Sequence, residues 1–153
     1  MADTKHTTFS CYFENRQNRL IIPVQLYSYP FNSMLTVSAN AIWDTGATMS
    51  AITPEIRDKL KAETIYRKKI AAIHTTKEVD VVYVTIELPN RVFKQTIEVA
   101  VCDMAPNSKM LIGMEIISLG DFALSNGGDQ TLFSFAVPPF RDKIDFSKRQ
   151  NEP

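Results

Sequence analysis

The sequence predicts a mainly β protein with one or two short helices in a single lobe. Three observations carry that prediction. Apolar residues alternate with polar ones in several stretches, Leu35-Val37-Ala39-Ala41 and Val82-Val84-Ile86-Leu88 among them, which is the period of a half-buried strand. Turn-forming clusters such as Pro30-Phe31-Asn32-Ser33, Pro89-Asn90-Arg91 and Asn126-Gly127-Gly128-Asp129 separate these stretches. The 153 residues suit one domain with a real core, and no internal repeat or interdomain linker breaks them.

Taken in order, residues 1–18 are polar and read as an N-terminal arm; Asn15, Arg16, Gln17 and Asn18 are not core formers. Leu20 to Tyr29 is rich in β-branched and aromatic residues, and Pro23 makes it an edge or interrupted strand. Met34 to Trp43 is the next strand. Thr53 to Lys61 is a short helix: Thr53 is the expected N-cap, Pro54 suits the first position, and Ile56 and Leu60 make its buried face. Tyr66 to Leu88 is a hairpin bending near Ala71 to Thr76. Val92 to Cys102 is a strand and Met114 to Leu119 a short helix, with Gly120 as the residue that ends it. Phe122 to Ser125 and Thr131 to Val137 form a terminal hairpin. The charged stretch after Pro139 reads as a disordered tail. The domain expectation is thus an arm at 1–18, a folded domain at 19–139 and a tail at 140–153.

Composition narrows the function. Apolar residues make up 44% and charged residues 22%, ordinary for a soluble globular protein. Lys+Arg and Asp+Glu each number 17, so no basic stripe points to nucleic acid. No apolar run approaches the ~20 residues that span a bilayer, and the polar stretch Met1 to Ser10 does not resemble a signal peptide. Cys11 and Cys102 are the two cysteines; such sparse usage fits a reducing compartment and a cytoplasmic location. His6 and His74 are isolated, with no cluster at metal-ligand spacing, so no metal and no cofactor are expected. Met104, Met110 and Met114 read as core filler, and Trp43 as a packing residue. The run Arg67-Lys68-Lys69 reads as a solvated strand face.

One stretch carries chemistry. Ala41-Ile42-Trp43-Asp44-Thr45-Gly46-Ala47-Thr48 places an aspartate where an apolar strand ends in a tight turn. Gly46 permits a close backbone approach or a positive φ, and Thr45 supplies a hydroxyl. Alone, such a triplet is ordinary turn chemistry. A second stretch, Met110-Leu111-Ile112-Gly113-Met114-Glu115-Ile116-Ile117, follows at the right distance. Together they resemble the active-site loop and the apolar-apolar-Gly segment of retroviral-type (retropepsin-like) aspartic proteases. The wording at 43–48 and Leu119-Gly120-Asp121-Phe122 look most like compact bacterial members.

The resemblance implies a closed-barrel-type acid-protease fold with Asp44 as catalytic carboxylate. Thr45, Gly46 and Ala47 would support its loop, and Leu111, Ile112 and Gly113 would support it from the second motif. The hairpin would be a flap, with Ala71, Ala72, Ile73 and His74 at a substrate-binding tip; family flaps are often glycine-rich there, and this one is not. The chain has one Asp-Thr-Gly, since Asp3-Thr4 is followed by Lys5. A site that needs two aspartates must then take the second from another copy, which a symmetric homodimer supplies. The function implied is an aspartic endopeptidase acting on extended peptide or unfolded protein, with neither nucleic acid nor membrane as partner. The rivals are a protease-fold dimerisation or peptide-binding module that cleaves little, and a regulator that processes itself.

Overall fold

The computed structural model describes residues 5–72 and 74–149. Its strands are β1 (Thr7–Phe13), β2 (Ile21–Tyr27), β3 (Thr36–Trp43), β4 (Ala51–Ile52), β5 (Thr64–Ala72), β6 (Thr75–Glu87), β7 (Lys94–Val101), β8 (Met110–Ile112), β9 (Asp121–Ser125) and β10 (Thr131–Val137). The helices α1 (Pro54–Leu60) and α2 (Met114–Ile117) follow β4 and β8. The expected mainly β fold with two short helices is what forms.

Seven strands join in the order β2-β3-β8-β4-β7-β6-β5, and β2 also pairs with β6. That extra pairing closes six of the strands into a ring and leaves β5 outside it. Pro23 explains how β2 serves two neighbours. It lies opposite Asn40 of β3, whereas the pairing to β6 is confined to Gln25–Tyr27. The missing N–H therefore falls where β2 has one partner. β6 is the long member: Asp80 to Glu87 pairs with β7, whereas Thr75 to Val79 has β5 alone.

Strand alternation sorts the side chains into two apolar groups. Ile52, Val82, Val84, Ile86, Val99, Met110 and Ile112 turn inward to the main core, which α1 closes with Ile56 and Leu60 and α2 with Ile116 and Ile117. Ala51, Val79 and Ala100 turn to the other face and make a smaller cluster with Met49, Ile70, Cys102, Met104 and Leu111.

A second sheet, β1-β10-β9, packs its Phe9, Phe133 and Phe135 into the same core as the barrel residues. Its β1 corrects the sequence reading, which placed these residues in an arm. Thr7–Phe13 pairs residue by residue with β10, and Phe9 is 2% exposed. The short alternation was hidden among polar neighbours. Phe9, Phe133 and Phe135 surround Trp43, with the last two ring centroids 4.9 Å from the indole. Trp43 is thus the packing residue expected.

Three further details differ from expectation. Thr53 sits at the N-cap position, but its hydroxyl is buried with no hydrogen-bond partner. Gly120 does not end α2 in a left-handed turn; a Cβ there would meet the Ala136 carbonyl oxygen and the Phe135 ring, so the glycine lets the chain pass close to β10. Met114 is exposed rather than core, whereas Met110 is fully buried. In the tail, Phe140 donates its backbone N–H to Asp121 and stacks on His6, and Phe146–Arg149 makes a 3-10 turn. Residues 150–153 lie outside the described residues.

Glu55 ties α1 to the loop before β8, accepting from Lys109 and, at 2.7 Å, from Lys59. These ammonium groups, Lys109 first, hold its carboxyl down to about 2. Stability from a depressed carboxylate is present above its ordinary value of 4.5 and is lost as pH falls toward 2. A carbon-detected NMR titration should therefore find the Glu55 midpoint near 2. In Lys109→Met it should move up toward 4.5.

Candidate active site

The loop that follows β3 is fixed from beneath by β8. Trp43 pairs with Ile112 in a parallel ladder, and Asp44 then donates its N–H to the Ile112 carbonyl at 3.0 Å. The chain turns at once: Ala47 N–H donates back to the Asp44 carbonyl at 3.2 Å, and the Gly46 N–H donates to Asp44 Oδ1 at 2.8 Å. The carboxylate is thereby oriented by its own loop. Gly46 leaves room beside the carboxylate and has no positive φ. A Cβ there would press on Asp44 Oδ1 at 3.1 Å. Asp44 is half-buried, whereas Thr45 and Gly46 are exposed.

The second motif clamps the far side of the loop. Met114 N–H donates to the Ala47 carbonyl at 2.8 Å. Gly113 N–H donates to Ser50 Oγ at 3.0 Å, and Ser50 N–H donates to Glu115 Oε1 at 2.5 Å. Leu111 lies on the smaller apolar cluster and Ile112 in the main core. Sequence reasoning missed Ser50 and Glu115. A carboxylate early in α2 was visible, but its partner lies 65 positions away.

The smaller apolar cluster makes a wall beside this loop, since Met49 and Ala51 flank Ser50 and Ile70 comes from β5. Burial pushes the Cys102 thiol up, against a weaker pull from Lys77. The Cys11 thiol is raised for the same reason. Neither thiol is poised as a nucleophile. Of the expected flap tip, Ala71 is exposed and pairs with Thr76, Ala72 pairs with Thr75, and His74 is exposed with φ 69°. Ile73 lies outside the described residues. Among the described residues no group of three or more His, Cys, Asp and Glu side chains converges as a metal site. No helix among them is long and apolar enough to cross a membrane.

The fold and loop together define an aspartic-protease-like lobe, and comparison agrees. A family model described as aspartyl protease matches residues 31–116. This is more than half of the chain, which therefore belongs to that family. Its fold is retropepsin-like: a retropepsin-like aspartic protease from Rickettsia conorii superposes with TM-score 0.58 at 15% identity, over 90% of this chain and 98% of that one. An EIAV protease complexed with the inhibitor HBY-793 gives TM-score 0.48 at 21% identity, over 67% and 88% of the two chains. The retroviral protease-like domain of Ddi1 from Leishmania major gives 0.49 at 13%, over 71% and 82%. A search of curated proteins finds no match.

The clamp leaves no room at Gly113. A Cβ there would lie 2.6 Å from Glu115 Oε2 and 2.8 Å from the Met49 backbone. Gly113→Ala should lower unfolding stability by about 1–3 kcal/mol, read from the urea midpoint.

Proposed function

We propose that the protein is a homodimeric aspartic endopeptidase whose reaction centre is a pair of Asp44 carboxylates, one from each copy. The observation that carries this reading is the oriented Asp44 side chain on an exposed loop tip, fixed from below by β8 and α2. Two such tips meeting across a two-fold axis would bring equivalent carboxylates together. Like charges at that separation share one proton, as aspartic-protease dyads are known to do.

The ionised member takes a proton from water as general base, and the protonated member gives its proton to the peptide carbonyl oxygen. Water oxygen bonds to the carbonyl carbon, giving a tetrahedral diol. The carboxyl that took the water proton then gives it to the amide nitrogen while the other takes a proton from a diol hydroxyl. The C–N bond breaks, and acid and amine leave with the pair again sharing one proton. No metal or side-chain nucleophile enters these steps. An extended peptide would lie between the loop and the β5–β6 hairpin, adding main-chain hydrogen bonds as an extra strand. Met49, Ala51, Ile70 and Leu111 would present an apolar wall to it.

The C-terminal hairpin, 122–137, is the proposed contact between copies. Phe122 and Leu124 sit opposite buried Phe135 and Phe133 in the ladder, yet are 43% and 42% exposed at the β9 edge. A second copy would cover them. The proposed folded domain keeps its C-terminal limit at 139 and extends back from 19 to take in β1, with the residues outside as tails.

The test is direct. Wild type incubated with an unfolded protein at about pH 4–6 should cleave it, and a transition-state peptide mimic should block cleavage. Asp44→Asn should reduce cleavage by at least about 10³-fold and keep the dimer mass in sedimentation. Equal cleavage by both proteins would sink the proposal. A dimer that binds peptide without cutting it would leave a binding module.

A further inference from the structure

Beyond the reacting carboxylates, a cleft of 480 Å³ opens beside the loop. Thr48 and Met49 of the active-site loop form one end, β5 contributes Tyr66 and Lys68, and β7 and α2 contribute Glu98 and Glu115. The cleft is therefore continuous with the segment that carries Asp44.

Its most organised polar group is Glu98. Tyr66 donates its hydroxyl to Glu98 Oε2 at 2.6 Å, and Tyr83 donates to Oε1 at 3.2 Å. Cross-strand placement makes this possible: Tyr83 stands opposite Glu98 in the β6–β7 ladder, and Tyr66 stands opposite Val81 in β5–β6. Both phenols are raised, chiefly because each donates to that carboxylate. Two neutral donors fix the carboxylate in place but do not neutralise it. Among the described residues it has no cation within ion-pair distance. Glu115 adds a second carboxylate, whose Oε2 is buried without a partner. The one ammonium on the lining, Lys68, is on an exposed side chain that forms no ion pair among the described residues. The fixed charge of the cleft is thus negative, and the half-exposed Tyr66 ring offers a face on which a cation can rest.

We propose that Glu98, propped by Tyr66 and Tyr83, receives a lysine or arginine side chain of the bound peptide at a position away from the scissile bond. This rests on the reading of the adjoining loop as a peptide-cleaving site, and it adds a charged determinant to the apolar wall. A peptide running past Met49 would place an apolar side chain on the wall and a basic one over Glu98.

Binding tests this separately from cleavage. Fluorescent peptides of about ten residues with an apolar centre carry one lysine, norleucine or glutamate, walked through the flanking positions. They are titrated by anisotropy into Asp44→Asn protein, in which the proposed loss of turnover leaves the probe intact. At one position lysine should bind about five-fold tighter than norleucine, and glutamate weaker than either. Adding Glu98→Gln should bring the lysine-to-norleucine ratio within about two-fold, and so should raising salt from about 0.05 to about 0.5 M. Lys68→Met should increase the lysine preference. The ratio is taken on one sample, so a smaller folded fraction cancels. A lysine effect that is absent, equal at all positions, or retained in Glu98→Gln overturns the inference, as does failure to bind any peptide. Cleavage by wild type with no Glu98-dependent preference removes this inference and leaves the protease reading standing.

Discussion

The parallel pairing of β3 with β8 is the constraint from which the site follows. Two strands from distant parts of the chain run side by side, so one ends where the other can receive its next N–H. The Asp44 turn begins at that point and inherits its position from the barrel. The same strand end puts Trp43 into the aromatic cluster between the two sheets. Removal of a ring from such a cluster costs about 3–5 kcal/mol. One short segment therefore joins barrel, outer sheet and loop, and the aspartate inherits the rigidity of all three.

The loop is held by hydrogen bonds on both flanks and left open at its tip. Ala47 is fixed by Met114, Ser50 by Glu115 and Gly113, and Asp44 by Ile112. Thr45 and Gly46, between these points, face outward. Such a loop can meet a partner surface without rearranging, which limits the ordering cost of association. The glycines serve the same end by removing Cβ atoms where the chain must come close, at Gly46 to its own carboxylate and at Gly113 to Glu115.

Much of this was legible in the sequence because it is local. The period of two marked β3, β6 and β7, and Pro54 with Ile56 and Leu60 marked α1. The Asp-Thr-Gly turn and the Leu111-Ile112-Gly113 segment were legible as motifs. What escaped depends on distant partners. β1 is a strand because β10 lies beside it, more than a hundred residues later. Thr53 has cap chemistry, but its surroundings take the hydroxyl out of reach of a partner. Gly120 looked like a helix end and proved to be a crossing point with β10. The Glu98 cluster was invisible for the same reason, since its tyrosines come from two other strands.

The length of β6 has a mechanical consequence. Its root, from Asp80 onward, is gripped by β7 and cannot bend without tearing the ring. Its outer five residues are bonded along one side only, to β5. The hairpin is therefore a lever whose fulcrum lies between Val79 and Asp80, and amide exchange should be faster beyond that fulcrum than behind it. Arg67 and Arg57 both reach Asp80 there, a charged pin at the pivot. Any swing of the arm is thus confined to the stretch beyond the ring, while the strands behind the pivot stay still.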